Sequence, residues 1–169
     1  GYGGVWKCVH VLQGLELGTY AVKKVPIGTD RQWLLRVLQE VKALERLHRH
    51  ANIIEYHHSW IEYDQPADFG PKVPCLFILM DYADLGTLES YIQRSMLSGE
   101  QEIWWVVINL LNALYHLHSN CIVHRDVKPL NVLLGSSNLL YPNVMLSDLG
   151  ESMQIMQRQH RSRSGCTGT

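Results

Sequence analysis

The stretch Ile122-Val123-His124-Arg125-Asp126-Val127-Lys128-Pro129-Leu130-Asn131-Val132-Leu133-Leu134 governs how the rest of the chain can be read. Between apolar flanks it sets a histidine, two cations, a carboxylate and an amide: His124, Arg125, Lys128, Asp126 and Asn131. With each residue type at ~1/20, five fixed residues in this order arise by chance in roughly one chain of this length in twenty thousand. A plain polar turn after a helix is the bland alternative, and the spacing argues against it. Seventeen residues after Asn131 comes Asp148, in the string Ser147-Asp148-Leu149-Gly150, behind an apolar strand pattern. A lone Asp-Leu-Gly carries no signal; at that distance and in that setting it does.

Composition narrows the class. Hydrophobic residues make up 46% and charged residues 18% of the 169 positions, which excludes a disordered tail or an acidic solvating segment. A net charge of −1 argues against a general nucleic-acid or membrane-surface binder. The length suits about one domain with a real core. Cys8, Cys75, Cys121 and Cys166 lie far apart with no C-x-x-C pair, so reduced thiols and a cytoplasmic setting are expected. No signal segment follows Gly1. The apolar stretch Ile103 to Leu117 is too short for a bilayer and carries Asn109, Asn112 and His116, so it reads as a buried helix.

The order of elements divides the chain. Strands are expected at Val5–Leu12 and Thr19–Val25, with Gly14 and Gly18 punctuating the link. Thr29-Asp30 caps a helix from Arg31 to about His48, whose Leu34, Val37, Leu38, Val41, Leu44 and Leu47 repeat at three and four. Strands Ile53–Tyr63 and Cys75–Asp81 flank a Pro-rich exposed loop, Asp64–Pro74. From Gly86 the pattern turns helical, with Thr87–Ser95 and Gln101–His118, the latter apolar almost all round. Short strands follow at Asn131–Leu134 and Val144–Ser147, and then a polar, basic, aperiodic tail, Glu151–Thr169. A β-rich part thus meets a helical part near Met80–Gly86, which suggests two lobes with a ligand cleft between them.

The strings resemble those of the eukaryotic protein kinases. Residues 124–131 match the catalytic loop H-R-D-L-x-x-x-N with Val127 for Leu, and 148–150 match D-F-G with Leu149 for Phe. The resemblance implies that Asp126 accepts or orients the substrate hydroxyl proton and that Lys128 sits near the transferring phosphate. It implies Mg²⁺ held by Asn131 and Asp148, oxygen donors suited to a hard cation, and ATP as the phosphoryl donor. Leu149 leaves metal binding intact but removes the family's usual aromatic packing.

Upstream, Tyr20-Ala21-Val22-Lys23 resembles the V-A-I-K strand. Strand alternation puts Ala21 and Lys23 on one face, so a small residue under a base goes with a cation near its phosphates. Lys24 then points the other way and is expected to be solvated. The partner of Lys23 should be a carboxylate on the following helix. Glu40 lies about 40° from Leu44 and about 60° from Val37 at 100° per residue, inside the apolar stripe. Glu45 has a similar angle, and geometry alone does not separate the two. The resemblance to family helices of the form E-V-x-x-L-x-x-L-x-H-x-N-I decides for Glu40. Gly1-Tyr2-Gly3-Gly4-Val5 resembles the end of the family's Gly-rich loop, which makes Gly1 and Gly3 candidates for covering phosphates. Met80-Asp81-Tyr82-Ala83 resembles the hinge: Asp81 carbonyl and Ala83 backbone would bond adenine, Met80 would be the gatekeeper, and Val5, Ala21 and Leu133 would sandwich the base.

The fold class implied is α+β, the two-lobe kinase fold. Residues 1–80 would be an N-lobe lacking its first strand, 81–86 the hinge, 87–150 the start of the C-lobe and 151–169 the start of the activation loop. An internal fragment of a kinase domain, inactive alone, is therefore expected. Lys128-Pro129 and Gly168-Thr169 are similar to the serine/threonine pattern, so the substrate would be a protein Ser or Thr. Asn52 through Glu62, with Gly86-Thr87-Leu88, is similar to the kinases of translation initiation factor 2α and related fungal kinases. The rival from another class is a pseudokinase that binds nucleotide and scaffolds partners. Such proteins usually lose the lysine, the catalytic aspartate or the metal aspartate; Lys23, Asp126 and Asp148 are all present. The tail, with Ser162, Ser164 and Thr167 among arginines, would be a regulated loop. The histidine pairs lack zinc spacing, Trp104 and Trp105 read as helix packing, and neither nucleic acid nor membrane is an expected partner.

Overall fold

A computed structural model describes residues 4–27, 31–47, 49–65, 71–97, 99–137, 140–149 and 152–154. Gly1 and Gly3, Gly150 and the tail from 155 to 169 lie outside the described residues, as does the side chain of Glu40.

The first β-branched run turns back on itself at Gln13-Gly14, both at positive φ (49° and 82°), the combination that a tight hairpin needs. It joins β1 (Val5–Leu12) to β2 (Leu15–Pro26); Gly18 lies inside β2 rather than in the turn. Helix α1 (Arg31–Arg46) follows, then β3 (Tyr56–Asp64) and β4 (Val73–Asp81). The four strands form one antiparallel sheet in the order β1-β2-β4-β3. Val37, Val41 and Leu44 of α1 are buried with Val25, Ile27, Leu76 and Ile78 of the sheet, as the three-and-four repeat requires.

After β4, β5 (Gly86–Thr87) leads into α2 (Leu88–Gln93), where Thr87 Oγ1 accepts from the Ser90 N–H and caps the helix. Then come α3 (Glu100–Ser119), β6 (Ile122–Val123), a one-turn 3₁₀ helix (Pro129–Asn131), β7 (Val132–Gly135) and β8 (Asn143–Leu146). The strand β9 (Met153–Gln154) pairs with β6, so the tail expected to be aperiodic opens on a strand. The 3₁₀ turn leads directly into β7, the middle strand of sheet β5-β7-β8. This β-rich half with one helix, followed by a mainly helical half, is the two-lobe kinase arrangement.

Asn52 fastens the halves together. Its buried Nδ2 donates to Asn109 Oδ1 of α3 at 2.7 Å and to the Val144 carbonyl of β8 at 3.0 Å. Around it the Leu146 N–H donates to Asn52 O, and the Ile54 N–H donates to Leu146 O.

Helix α3 corrects the expectation of a helix buried all round. Val106, Ala113 and Leu117 are buried, but Ile103, Trp104, Ile108, Leu111 and Tyr115 are exposed, Tyr115 by 76%. The described strands that pack on α3, β6 and β8, cover one side only. Trp105 does pack, donating to Pro142 O at 2.9 Å; Trp104 stays on the surface. Among the described residues no helix is long and apolar enough to cross a membrane.

Candidate active site

Four residues of the catalytic stretch and the Asp-Leu-Gly turn close a hydrogen-bonded circuit. Asn131 Nδ2 donates to Asp126 O at 2.8 Å and to Asp126 Oδ2 at 3.0 Å. The Ser147 N–H and Oγ–H both donate to Asn131 O at 2.9 Å. His124, 1% exposed, has Nε2 2.9 Å from Ser147 O and Nδ1 3.3 Å from the Asp126 N–H. A carbonyl only accepts and an amide N–H only donates, so Nε2 carries the ring proton and Nδ1 accepts. Histidine thereby ties the segment holding Asp126 to the residue before Asp148. Its role was not assigned from sequence, although its place in the 122–134 string was the available signal.

Two residues of this unit, Arg125 (φ 67°) and Asp148 (φ 63°), occupy the left-handed region, where side chains other than glycine are uncommon. Such backbone persists only where neighbouring bonds over-determine it, as the circuit does here. The Asp126 carboxylate accepts from Lys128 Nζ at 2.7 Å. That bond, helped by Asn131, holds the Asp126 carboxyl below the usual carboxylate range, and Asp126 in turn raises Lys128.

Strand register assembles the other side. In β2, Tyr20 stands opposite Asp81, Ala21 opposite Met80, and Lys23 between Ile78 of β4 and Val5 of β1. Val5, Ala21, Lys23, Met80 and Asp81 are therefore neighbours on adjoining strands. Leu133, half-buried on β7, lies opposite Thr87, and the Leu85 N–H donates to Leu134 O of the same strand. Lys23 Nζ lies 2.9 Å from Asp148 Oδ1, joining a residue of the sheet to one 125 positions later. Leu149 is 1% exposed, so an aliphatic side chain fills the core where the family has an aromatic.

Lys24 corrects its expected place. Its side chain is only 12% exposed and bonds Asp64 Oδ2 at 2.6 Å and the Gln65 carbonyl, rather than standing in water. The alternation argument holds, since Lys24 has a different partner from Lys23, but the end of β3 supplies a counter-ion. Glu40 lies on α1, and Glu45, its rival, is exposed.

The donor set suits a nucleotide-bound Mg²⁺. With its amide nitrogen bound to Asp126, Asn131 has Oδ1 left as acceptor; Asp148 offers a carboxylate. Among the described residues no group of three or more His, Cys, Asp or Glu could hold a metal unaided. Mg²⁺ is commonly held by one or two side chains together with phosphates and water, and these two residues fit that pattern.

Comparison with known proteins shows what the chain is similar to. The protein kinase domain family model matches residues 1–169. The probable serine/threonine-protein kinase iksA of Dictyostelium discoideum is 47% identical over all of the chain, which covers 19% of that protein. The interferon-induced, double-stranded RNA-activated protein kinase of Mus musculus is 30% identical over all of the chain, covering 32% of it. The serine/threonine-protein kinase Nek8 of Danio rerio is 34% identical over 92% of the chain, covering 21% of it. The chain thus spans about a fifth to a third of the length of the curated relatives it matches.

Proposed function

The chain belongs to the protein kinase domain family, and on that premise we propose that the complete protein transfers the γ-phosphate of ATP to a Ser or Thr hydroxyl of a protein substrate. What carries this reading is the circuit of Asp126, His124, Ser147 and Asn131, which fixes the base-side and metal-side residues relative to each other.

Phosphoryl transfer needs positioning and charge stabilisation more than covalent help. Bound together, ATP and Mg²⁺ supply the transferable phosphoryl group and neutralise the charge that develops on it. Asp148 and Asn131 Oδ1 would hold the metal. Lys23 now bonds Asp148, so its ammonium is already poised beside the metal ligand and would turn to the phosphates. Glu40 would orient Lys23, and Gly1 and Gly3 would cover the phosphates. Asp126, kept ionised by Lys128, would accept the hydrogen bond of the substrate hydroxyl and aim it in line. Lys128 would then neutralise the oxygen nearest the acceptor. The Asp81 carbonyl and the Ala83 backbone would bond adenine between Val5, Ala21 and Leu133, beside Met80. Lys128-Pro129 and Gly168-Thr169 support Ser or Thr rather than Tyr as acceptor.

The test is phosphotransfer from labelled ATP by the complete protein to a peptide library containing Ser, Thr and Tyr, followed by identification of the modified residue. Phosphoserine and phosphothreonine are expected. Nucleotide binding with no transfer to any acceptor would instead indicate a scaffold, and phosphotyrosine alone would overturn the acceptor class.

A further inference from the structure

His57 sits where β3 slips register. Tyr56 stands opposite Met80 and His58 opposite Leu79, adjacent residues of β4, so His57 is the extra residue of a β-bulge. Bulges bend a strand and re-aim a side chain, and they gather beside functional sites. Here Nε2 of His57 lies 2.7 Å from Asp81 Oδ1. The ring stands edge-on to Tyr20, with centroids 5.2 Å apart and planes at 88°, and Tyr20 is itself the register partner of Asp81. Glu55 holds the same residue from the backbone: its carbonyl accepts the Asp81 N–H at 3.0 Å. Its carboxylate lies 4.0 Å from His57 Nδ1 and pairs with Arg49. Asp81 is therefore gripped at its N–H by Glu55 and at its carboxylate by His57.

The side chains of His57 and Asp81 are 26% and 43% exposed, and a half-solvated pair of this kind adds little to stability. His57 also borders a cavity of about 300 Å³ with Leu44, Leu47, His50 and Tyr56. The bulge, the bond and the Tyr20 contact set the direction of its ring. We propose that His57 is a positioning residue for nucleotide: it fixes the end of β4, and with it the direction in which Asp81 and Ala83 present their backbone groups to the base. This rests on the reading of Asp81–Ala83 as the segment that bonds adenine.

The experiment uses the complete protein and ATP. His57→Phe keeps a ring against Tyr20 and removes the bond to Asp81. It should raise KM for ATP and the nucleotide Kd roughly 3- to 10-fold, the effect of one lost hydrogen bond, with kcat, peptide KM and Tm close to wild type. Asp81→Ala should raise the nucleotide Kd by a similar factor, and the double variant should bind no more weakly than either single one, because both remove the same bond. His57→Gln, which keeps a donor, should restore affinity to within about twofold of wild type, on the same hydrogen-bond inventory. In wild type, ATP should also slow amide hydrogen exchange across residues 82–86. Slowed exchange with unchanged affinity in His57→Phe overturns the role of His57 alone. Absence of slowing shows that the base is not bonded there and overturns both the hinge assignment and the role built on it. Additive losses in the double variant, or a fall in kcat with Tm, would make His57 merely structural.

Discussion

Asp126 is held ionised by two neighbours, and the sign of that effect fixes a pH dependence. Its folded value lies below the ordinary 3.8, with the Lys128 bond as the main cause. The favourable contribution is therefore complete above about 3.8 and is lost as pH falls from there through the lower folded midpoint. Between pH 6 and 8 Asp126 should not titrate. Lys128→Ala should move its midpoint up toward 3.8, read by carboxyl NMR with Asp126→Asn for assignment; an unmoved midpoint would deny the pairing. A second expectation concerns the two adjacent lysines. Lys23→Met should lower turnover about 10²- to 10³-fold through lost charge stabilisation. Lys24→Met, which breaks the Asp64 pair, should leave turnover near wild type. The reverse ranking would transfer the role to Lys24. The meeting of Asp126, Lys128 and Asn131 was legible because the motif fixes residue type and local spacing together. Asp64 as a counter-ion for Lys24 was not, since 40 residues, with α1 and most of β3, separate them. His57 was invisible for a different reason: a bulge is a matter of strand register, which composition does not record.

Among the elements, the segment between α1 and β3 carries the most consequence for its length. Asn52 is buried and bonds both α3 and β8, so the two halves share a polar fastening inside an apolar core. Asn52→Ala should leave Asn109 and the Val144 carbonyl without this partner and destabilise by about 1–3 kcal/mol. Denaturant unfolding of the complete protein measures it, and an unchanged midpoint would show that the fastening is replaceable. The amphipathic repeat made α1 legible, and runs of β-branched residues did the same for β1, β2 and β4. The two-residue strands β5, β6 and β9 were not, because two residues have no period; their pairing follows from where the chain is led. Helix α3 was legible in extent but not in burial. Its apolar residues surround it, while β6 and β8 cover one side.

At the scale of the whole molecule, one buried cluster runs from Val25 and Ile27 through Leu76 and Ile78 to Leu117, Leu134, Leu146 and Leu149. The β-rich and helical halves thus share a core, and the Lys23–Asp148 bond joins a residue of one to a residue of the other. That division was legible from the change of periodicity near Met80–Gly86. The circuit around His124 was not, because it depends on β7 and β8 bringing residues 131 and 147 side by side. It is also what the proposed function depends on, since it separates the residue that would meet the acceptor from the one that would meet the metal. The direct test compares Asp126→Asn and Asp148→Asn in the complete protein, measuring both Mg²⁺–ATP affinity and phosphate transfer to a Ser/Thr peptide. Asp126→Asn should bind nucleotide within about threefold of wild type while turnover falls by about 10²-fold or more. Asp148→Asn should lose Mg²⁺-dependent binding as well. Equal loss of nucleotide binding in both variants, or wild-type turnover in Asp126→Asn, would contradict the assignment of the two aspartates.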